Sequence, residues 1–404
     1  MITLLLEHLL TIVVFFLAIT LVARVSRGHQ HPGGAIAWLL AIVLIPYIGV
    51  PLYLLLSGRK LGLRTGRKRA LYDVGAACGF EEGAPRDIER VLLAAGMPPR
   101  RAGNAVVPHF SGESAHAALL RLIDEAERSI HIMVFILGRD DVGRGIVRAL
   151  AGKAAQGVRV RLLLDSLGCL TTRGRFVQPL RDAGGQVAHF LPVLSIRRRW
   201  SANLRNHRKI VVVDGEAAMV GGMNLDARFM GPRPDEKRFL DAAVFLRGPA
   251  AADIEDVFAS DWEFATGEVV PRAEAAAAPV IAGDSAVQVV ASGPDVREDT
   301  LHDALLTAMM DARKRIWVVT PYFVPTREIL RALRTAALRG LDVRIIVPEK
   351  NNHVYAGLAS RALYSDLLQS GVRIFERRPP FIHAKALVID STMAVVGTAN
   401  FDAR

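Results

Sequence analysis

Two histidine-lysine pairs with matching surroundings stand out in this sequence. His207-Arg208-Lys209 leads to Asp214 and Gly221-Gly222-Met223-Asn224, and His383-Ala384-Lys385 leads to Asp390 and Gly397-Thr398-Ala399-Asn400. Both stretches read His-x-Lys-x4-Asp-x6-Gly-[Gly/Thr]-x-Asn. A lone His-x-Lys is usually a surface or satisfied core feature; repetition of the whole pattern argues for shared chemistry. Cleaving a phosphodiester without a metal requires a nucleophile, a proton donor for the departing alkoxide, and fixed positive charge around the phosphoryl oxygens. Two imidazoles and two ammonium groups supply all three. One histidine can attack phosphorus while the other protonates the leaving oxygen, provided their environments hold them in opposite protonation states. From the residues alone, either histidine could be the nucleophile.

The candidate catalytic set is therefore His207, Lys209, Asp214, His383, Lys385 and Asp390, with Asn224 and Asn400 as candidate substrate-binding groups. Asp214 and Asp390 are expected to orient the turn and the basic groups, although Asp214-Gly215 is also an ordinary hairpin signal. The two asparagines are either neutral donors to a phosphoryl oxygen or helix caps. Asp226 and Asp402, two residues past each asparagine, are candidate partners for the histidine ring nitrogens.

Strands must carry these groups. Successive side chains on a strand alternate faces, so His207 and Lys209 point the same way, as do His383 and Lys385. The apolar runs Ile210–Val213 and Ala386–Ile389 that follow read as buried strands, each with its pair at the mouth of a sheet. Upstream of the first pair, periodicity predicts a helix over 115–128, a strand over 129–137, a helix over 142–155 and a strand over 158–165. The second half repeats the order: helix 300–313, strand 316–320, helix 326–339, strand 343–348, helix 353–370 and strand 372–375. After Asn224 a strand over 242–246 and a helix over 250–265 are expected, whereas four residues follow Asn400. The fold class is thus α/β, two domains with mixed, mostly parallel sheets related by pseudo-twofold symmetry, the active site at their junction and the second domain incomplete at its carboxyl end. The expected divisions are 1–56 (membrane hairpin), 57–112 (a basic juxtamembrane region with one helix over 85–95), 113–266 (first domain), 267–286 (an Ala/Gly/Pro-rich linker) and 287–404 (second domain).

The motifs resemble those of the phospholipase D superfamily. Arg205-Asn206-His207-Arg208-Lys209-Ile210-Val211-Val212-Val213-Asp214-Gly215, Thr320-Pro321-Tyr322-Phe323-Val324-Pro325 and Gly397-Thr398-Ala399-Asn400-Phe401-Asp402 look more narrowly like the bacterial cardiolipin synthases, over nearly the whole chain. The resemblance implies a phosphatidyltransferase. One histidine takes the phosphatidyl group of phosphatidylglycerol as a phosphohistidine, and the hydroxyl of a second phosphatidylglycerol displaces it, so that cardiolipin forms and glycerol leaves. It implies His207 as nucleophile and His383 as acid and base.

Composition agrees. The 404 residues carry a net charge of +11 and are 51% hydrophobic. The apolar excess is concentrated at the start, where 2–23 and the uncharged stretch 33–56 could each cross a hydrocarbon core of about 30 Å. A two-helix hairpin is expected, with Pro46 and Pro51 kinking the second helix and leaving a re-entrant path open. Arg24 and Arg27 lie in the connection, against Arg59, Lys60, Arg64, Arg67, Lys68 and Arg69 after it, which places the catalytic domains on the cytoplasmic side of a bacterial inner membrane. The positive charge implies an anionic partner, and the hairpin favours anionic phospholipid over nucleic acid. Arg197-Arg198-Arg199-Trp200 is either a steering patch for head groups or a solvated face. Cys78 and Cys169 show no metal or disulfide spacing, and no phosphate-binding loop or dinucleotide fingerprint offers a nucleotide cofactor a seat.

Other readings remain at this stage. A phospholipase D-type hydrolase or a phosphatidylserine synthase would share the phosphohistidine step, and a membrane-tethered nuclease would fit the basic charge. A nuclease groove would interleave aromatic with basic residues, and aromatics make up 6% of the chain.

Overall fold

The structure, a computed structural model, describes residues 32–56, 87–172, 174–190, 206–270, 281–293, 296 and 299–402. The first expected membrane helix, both basic flanks of the hairpin, Cys78 and Arg197-Arg198-Arg199-Trp200 lie outside the described residues. The second expected membrane helix is two helices, α1 (Pro32–Leu44) and α2 (Pro46–Leu56), broken at Ile45. Pro46 lacks the N–H that would continue the ladder. The two helices fold back on each other, with the rings of Trp38 and Tyr53 5.4 Å apart. Ile36, Leu40, Val43, Leu44 and Ile48 on them are exposed. Among the described residues no helix is long and apolar enough to cross a membrane.

Two sheets follow. The first comprises β1 (Arg101–His109), β2 (Ser129–Val134), β3 (Arg159–Asp165), β4 (Gln186–Phe190), β5 (Ile210–Val213), β6 (Ala217–Gly221), β7 (Ala243–Arg247) and β8 (Ser285–Val287), in the order β4-β3-β2-β5-β6-β7-β1-β8. The second comprises β9 (Arg315–Val319), β11 (Asp342–Pro348), β12 (Arg373–Arg377), β13 (Ala386–Ile389) and β14 (Met393–Val396), in the order β12-β11-β9-β13-β14. A separate parallel pair joins β10 (Phe323–Val324) to β15 (Phe401–Asp402). The order β4-β3-β2-β5-β6 of the first sheet is that of β12-β11-β9-β13-β14 in the second, so the sequence repeat is a repeat of architecture.

The sheets are mixed, but not mostly parallel as expected. β2, β3 and β4 run parallel, and every other pairing in the first sheet is antiparallel. The turn after each motif strand accounts for one antiparallel pair in each sheet. Asp214 and Gly215 have φ of 55° and 71°, and Asp390 has φ of 54°, a left-handed conformation that Asp tolerates better than most residues. Each turn folds the next strand back as a hairpin, β5 to β6 and β13 to β14. The helix expected over 85–95 is present as α3 (Asp87–Ala94), but the expected divisions shift: β1, within the stretch assigned to a juxtamembrane region, pairs with β7, and β8, which straddles the end of the expected linker, pairs with β1.

Alternation along the strands decides which face meets which helix. From the first sheet, Ile130, Ile132, Leu162, Leu164, Val211 and Val213 pack under α4 (Gly112–Asp124), α5 (Asp141–Ala155) and α6 (Gln178–Asp182). Their neighbours Met133, Leu163, Ile210 and Val212 face α7 (Ala250–Thr266), where Phe258 and Trp262 are fully enclosed. In the second sheet Ile316, Val318, Val343, Ile345, Leu387 and Ile389 pack with α8 (Thr300–Asp311) and α9 (Arg327–Leu338). The helix expected over 353–370 is two, α10 (Val354–Ala362) and α11 (Tyr364–Gln369), with Leu363 between them.

Candidate active site

Each motif strand holds its His-Lys pair just before its first residue, at the same end of β5 and β13. Lys209 Nζ lies 2.7 Å from its own histidine's carbonyl, His207 O, and 3.3 Å from His207 Nδ1. Lys385 Nζ lies 2.8 Å from His383 Nδ1 and also donates to His383 O. The two pairs come from different sheets, and the backbone stitches them together. Leu240 N–H donates to Phe381 O (2.9 Å), and His383 N–H donates to Leu240 O (2.7 Å). This crossing brings β7's entry segment against His383.

The imidazoles differ in their partners. His383 Nδ1 is 2.6 Å from Asp241 Oδ2, a carboxylate of the other repeat with no exposed side-chain surface. His207 Nδ1 is 3.4 Å from Thr398 O, again across the junction. A carbonyl only accepts, so that contact favours the proton on Nδ1 and the lone pair on Nε2, whereas a Lys209 ammonium, 3.3 Å from the same nitrogen, favours the opposite tautomer. Burial pushes His207 well below the ordinary histidine value, and the charges of Lys209 and Lys385 push it further. Burial lowers His383 too, but the hydrogen bond that its ring donates to Asp241 opposes it. Burial also holds Lys209 well below its usual range and brings Lys385 down to about 7. Four groups that are charged only as cations are packed together out of water, so protonation of each opposes that of the others, and an incoming phosphodiester anion favours their charged forms.

The walls are aromatic. Phe135 lies against His207 (4.8 Å between centroids) and under Lys209 Nζ (5.5 Å), while Phe229 meets His383 edge-on at 5.0 Å, with Phe239 and Phe381 beyond. The first motif is fixed from outside by α7: buried Asp261 accepts from Asn206 Nδ2 and from Arg208 Nη1, both at 2.8 Å. Side chains of motif residues that point away from the site thus anchor it to the core.

Of the expected site residues, the structure brings together His207, Lys209, His383 and Lys385, with Asn400 on the loop that carries Thr398. The Asn400 amide oxygen is buried with no hydrogen-bond partner among the described residues. Asn224 Oδ1 accepts from Ile136 N–H, a backbone role. Asp214 and Asp390, expected among the catalytic groups, sit at the opposite ends of β5 and β13 from the histidines. Asp214 accepts from the N–H groups of Glu127, Arg128 and Ser129, and Asp390 from those of Arg313, Lys314 and Arg315. They close the turns. Asp226, expected beside a histidine ring, is paired with Arg228 instead. The ring partner is Asp241, which lies in neither motif. Its sequence signal was a lone carboxylate within the apolar run Phe239-Leu240-Asp241-Ala242-Ala243, a placement that burial forbids without a partner.

The Gly221-Gly222 step of the first motif follows from that partner. A Cβ on Gly221 would fall 2.4 Å from Ala242 O, and one on Gly222 would fall 2.1 Å from Asp241 Oδ1. In the second motif Gly397 has no neighbour within 4 Å of such a Cβ, and Thr398 stands where Gly222 does in the first.

Comparison with known proteins decides the family. The profile of "Cardiolipin synthase, PLD-like domain" matches residues 119–262 and 305–404, and that of "Phospholipase_D-nuclease N-terminal" matches 10–58. The chain belongs to the cardiolipin synthase family. Cardiolipin synthase of Geobacillus kaustophilus is 32% identical over 94% of this chain and 78% of that protein, and cardiolipin synthase 1 of Bacillus cereus is 33% identical over 93% and 78%. Among solved structures, phosphatidylserine synthase of Haemophilus influenzae aligns with a TM-score of 0.52 at 16% identity, over 76% of this chain and 81% of that one. At that identity the likeness concerns the fold. The first stretch matched by the cardiolipin synthase profile spans β2 to β7 and the second spans β9 to β15.

Proposed function

We propose that this chain is a phosphatidyltransferase that condenses two phosphatidylglycerol molecules into cardiolipin and glycerol through a phosphohistidine. The observation that carries the reading is the crossed pairing of His383 with Asp241 and of His207 with Thr398, which makes one site from two repeats and gives its histidines unequal partners. His207, held neutral by burial, attacks phosphorus through Nε2. The P–O bond to the departing glycerol breaks as His383, its imidazolium favoured by Asp241, gives that oxygen its proton. In the second half His383, now neutral, takes the proton from the terminal hydroxyl of another phosphatidylglycerol. That oxygen attacks phosphorus and the P–N bond breaks. Lys209, Lys385 and the Asn400 amide hold the phosphoryl oxygens. Asp214 and Asp390 act on the turns alone.

The apolar walls of Phe135, Phe229, Phe239 and Phe381 support transfer over hydrolysis, since a water acceptor is disfavoured where a lipid hydroxyl is not. The exposed apolar surface of α1 and α2 supports insertion of the amino-terminal segment into a bilayer, and the positive charge after it supports a cytoplasmic catalytic portion. The test is incubation of the detergent-solubilised chain with radiolabelled phosphatidylglycerol, beside His207→Ala. Labelled cardiolipin and glycerol from the unaltered chain only are expected; phosphatidic acid as sole product would replace the transferase with a hydrolase.

A further inference from the structure

α10 carries an apolar stripe that none of the described residues covers. Val354, Tyr355 and Leu358 are 69%, 87% and 61% exposed, and with Ala362 they fall on one side of the helix. The other side is seated by small residues: Ser360 is buried, and a Cβ on Gly357 would meet Asn351 Cβ at 3.2 Å. The stripe is therefore displayed by a helix that is itself firmly docked.

Its position ties it to the site. α10 stands at the ends of the parallel strands β9, β11 and β12, the end of an α/β sheet where ligands bind. His353, at its start, packs on Tyr322 with ring centroids 5.4 Å apart, and Tyr322 donates to Asn352 Oδ1 (2.7 Å). From there β10 pairs with β15, directly after Asn400. The motif Thr320-Pro321-Tyr322-Phe323-Val324-Pro325 thus links α10 to the loop of the second histidine motif. Charge at this end favours an anionic surface. Lys350, Arg377 and Arg378 are exposed at this end of the sheet, against two carboxylates, Glu349 and Glu376, of which Glu376 is engaged by Arg361.

We propose that α10 is an interfacial helix: Val354, Tyr355 and Leu358 enter the head-group boundary of an anionic bilayer, Lys350, Arg377 and Arg378 contact its phosphates, and the active site is thereby held over its lipid substrate. The proposal deepens the lipid-transfer reading and rests on it for its purpose, but its test does not need turnover. An environment-sensitive fluorophore is placed at Leu358→Cys, or for comparison at the exposed Leu338→Cys on α9, in the full chain with Cys78→Ser, reconstituted in phosphatidylglycerol-rich vesicles. The expected result is blue-shifted emission at position 358, quenched by brominated lipid at least about twofold more than at 338. Equal quenching at both positions overturns the proposal. A blue shift at 358 that persists in detergent and grows with protein concentration also overturns it, assigning the stripe to a second copy. Val354→Glu with Leu358→Glu should lower cardiolipin formation from vesicles about tenfold while leaving turnover of monomeric short-chain phosphatidylglycerol unchanged. Equal loss on both substrates counts against the proposal. Quenching without any cardiolipin would uphold the docking surface and reject the transferase reading.

Discussion

Asp241 Oδ2 lies 2.6 Å from His383 Nδ1, joining a carboxylate from the first repeat to an imidazole from the second. The pair orients the ring and favours its charged form against burial, which lowers His383. Asp241→Asn removes the charge at nearly constant volume. Turnover should fall by about 10²–10⁴-fold with little change in the melting temperature. An acid works only below its pKa, and losing Asp241 lowers that of His383 further. The alkaline limb of the rate profile should therefore move to lower pH. An unmoved limb would reject His383 as the acid.

Gly222→Ala tests the same contact without altering either partner. The new methyl would occupy the space of the Asp241 carboxylate, 2.1 Å from Oδ1, and must push it off the histidine. The variant should reproduce the rate loss of Asp241→Asn to within about tenfold, and the double variant should be no worse than either single one. Additive losses would mean that Gly222 serves some other purpose.

Much of this architecture was legible because alternation along strands and the 3.6-residue period along helices report burial directly. The run Ile130, Ile132 and Val134, with Met133 opposed, names its own two faces. β1 was not legible: all but one of its residues are exposed or half-exposed, and its one buried position is Asn104, which donates to Arg101 O and accepts from Ala250 N–H at the start of α7. Strand direction was not legible from the alternation of helices and strands, because β6 follows β5 across a tight turn with no crossover helix that could make the pair parallel. The His-Lys pairs were legible as a repeat. Asp241 was not, since its partner stands in the other half of the chain and the Leu240 to Ile382 bridge brings them together.

Lys385 supplies a pH dependence of binding. Burial brings it down to about 7, so it is cationic below that pH and neutral above. Affinity for glycerophosphoglycerol, a phosphodiester that stays a monoanion, should weaken by about tenfold for each pH unit above 7. In Lys385→Met binding should be weaker and nearly flat from pH 6 to 8. Calorimetry in two buffers of different ionisation enthalpy should show proton uptake on binding at pH 8. Identical heats in both buffers would contradict the assignment.

Asp214 and Asp390 should matter for stability alone. Each accepts backbone N–H groups from the segment before the neighbouring strand and holds a left-handed turn. Replacement by Ala should cost about 2 kcal/mol, seen as a lower melting temperature, with kcat/KM of the folded fraction unchanged within about twofold. Burial works to raise the Asp390 carboxyl, but the N–H groups of Arg315, Lys314 and Arg313 outweigh it and hold it below the ordinary value. Its contribution is thus present above the unfolded value near 3.8 and is lost as pH falls through the lower folded value. Asp390→Ala should remove that component of acid sensitivity. A large loss of turnover at full stability would restore both aspartates to the catalytic set.

The unequal partners of the two histidines also predict where the covalent intermediate forms. With Nδ1 protonated toward Thr398 O the His207 lone pair is on Nε2, and burial, with the charges of the two lysines, favours the neutral ring. A neutral ring with a free lone pair is a nucleophile; a ring beside a carboxylate is better suited to carry a proton. Phosphatidylglycerol labelled with ³²P should therefore leave an acid-labile, base-stable label on the denatured protein, in a peptide containing His207. His207→Ala should abolish the label. In His383→Asn the label should form slowly and then persist, because the base that activates the second lipid's hydroxyl is gone. Label on a His383 peptide in the unaltered chain would reverse the two roles, and would mean that a carboxylate partner marks the nucleophile instead.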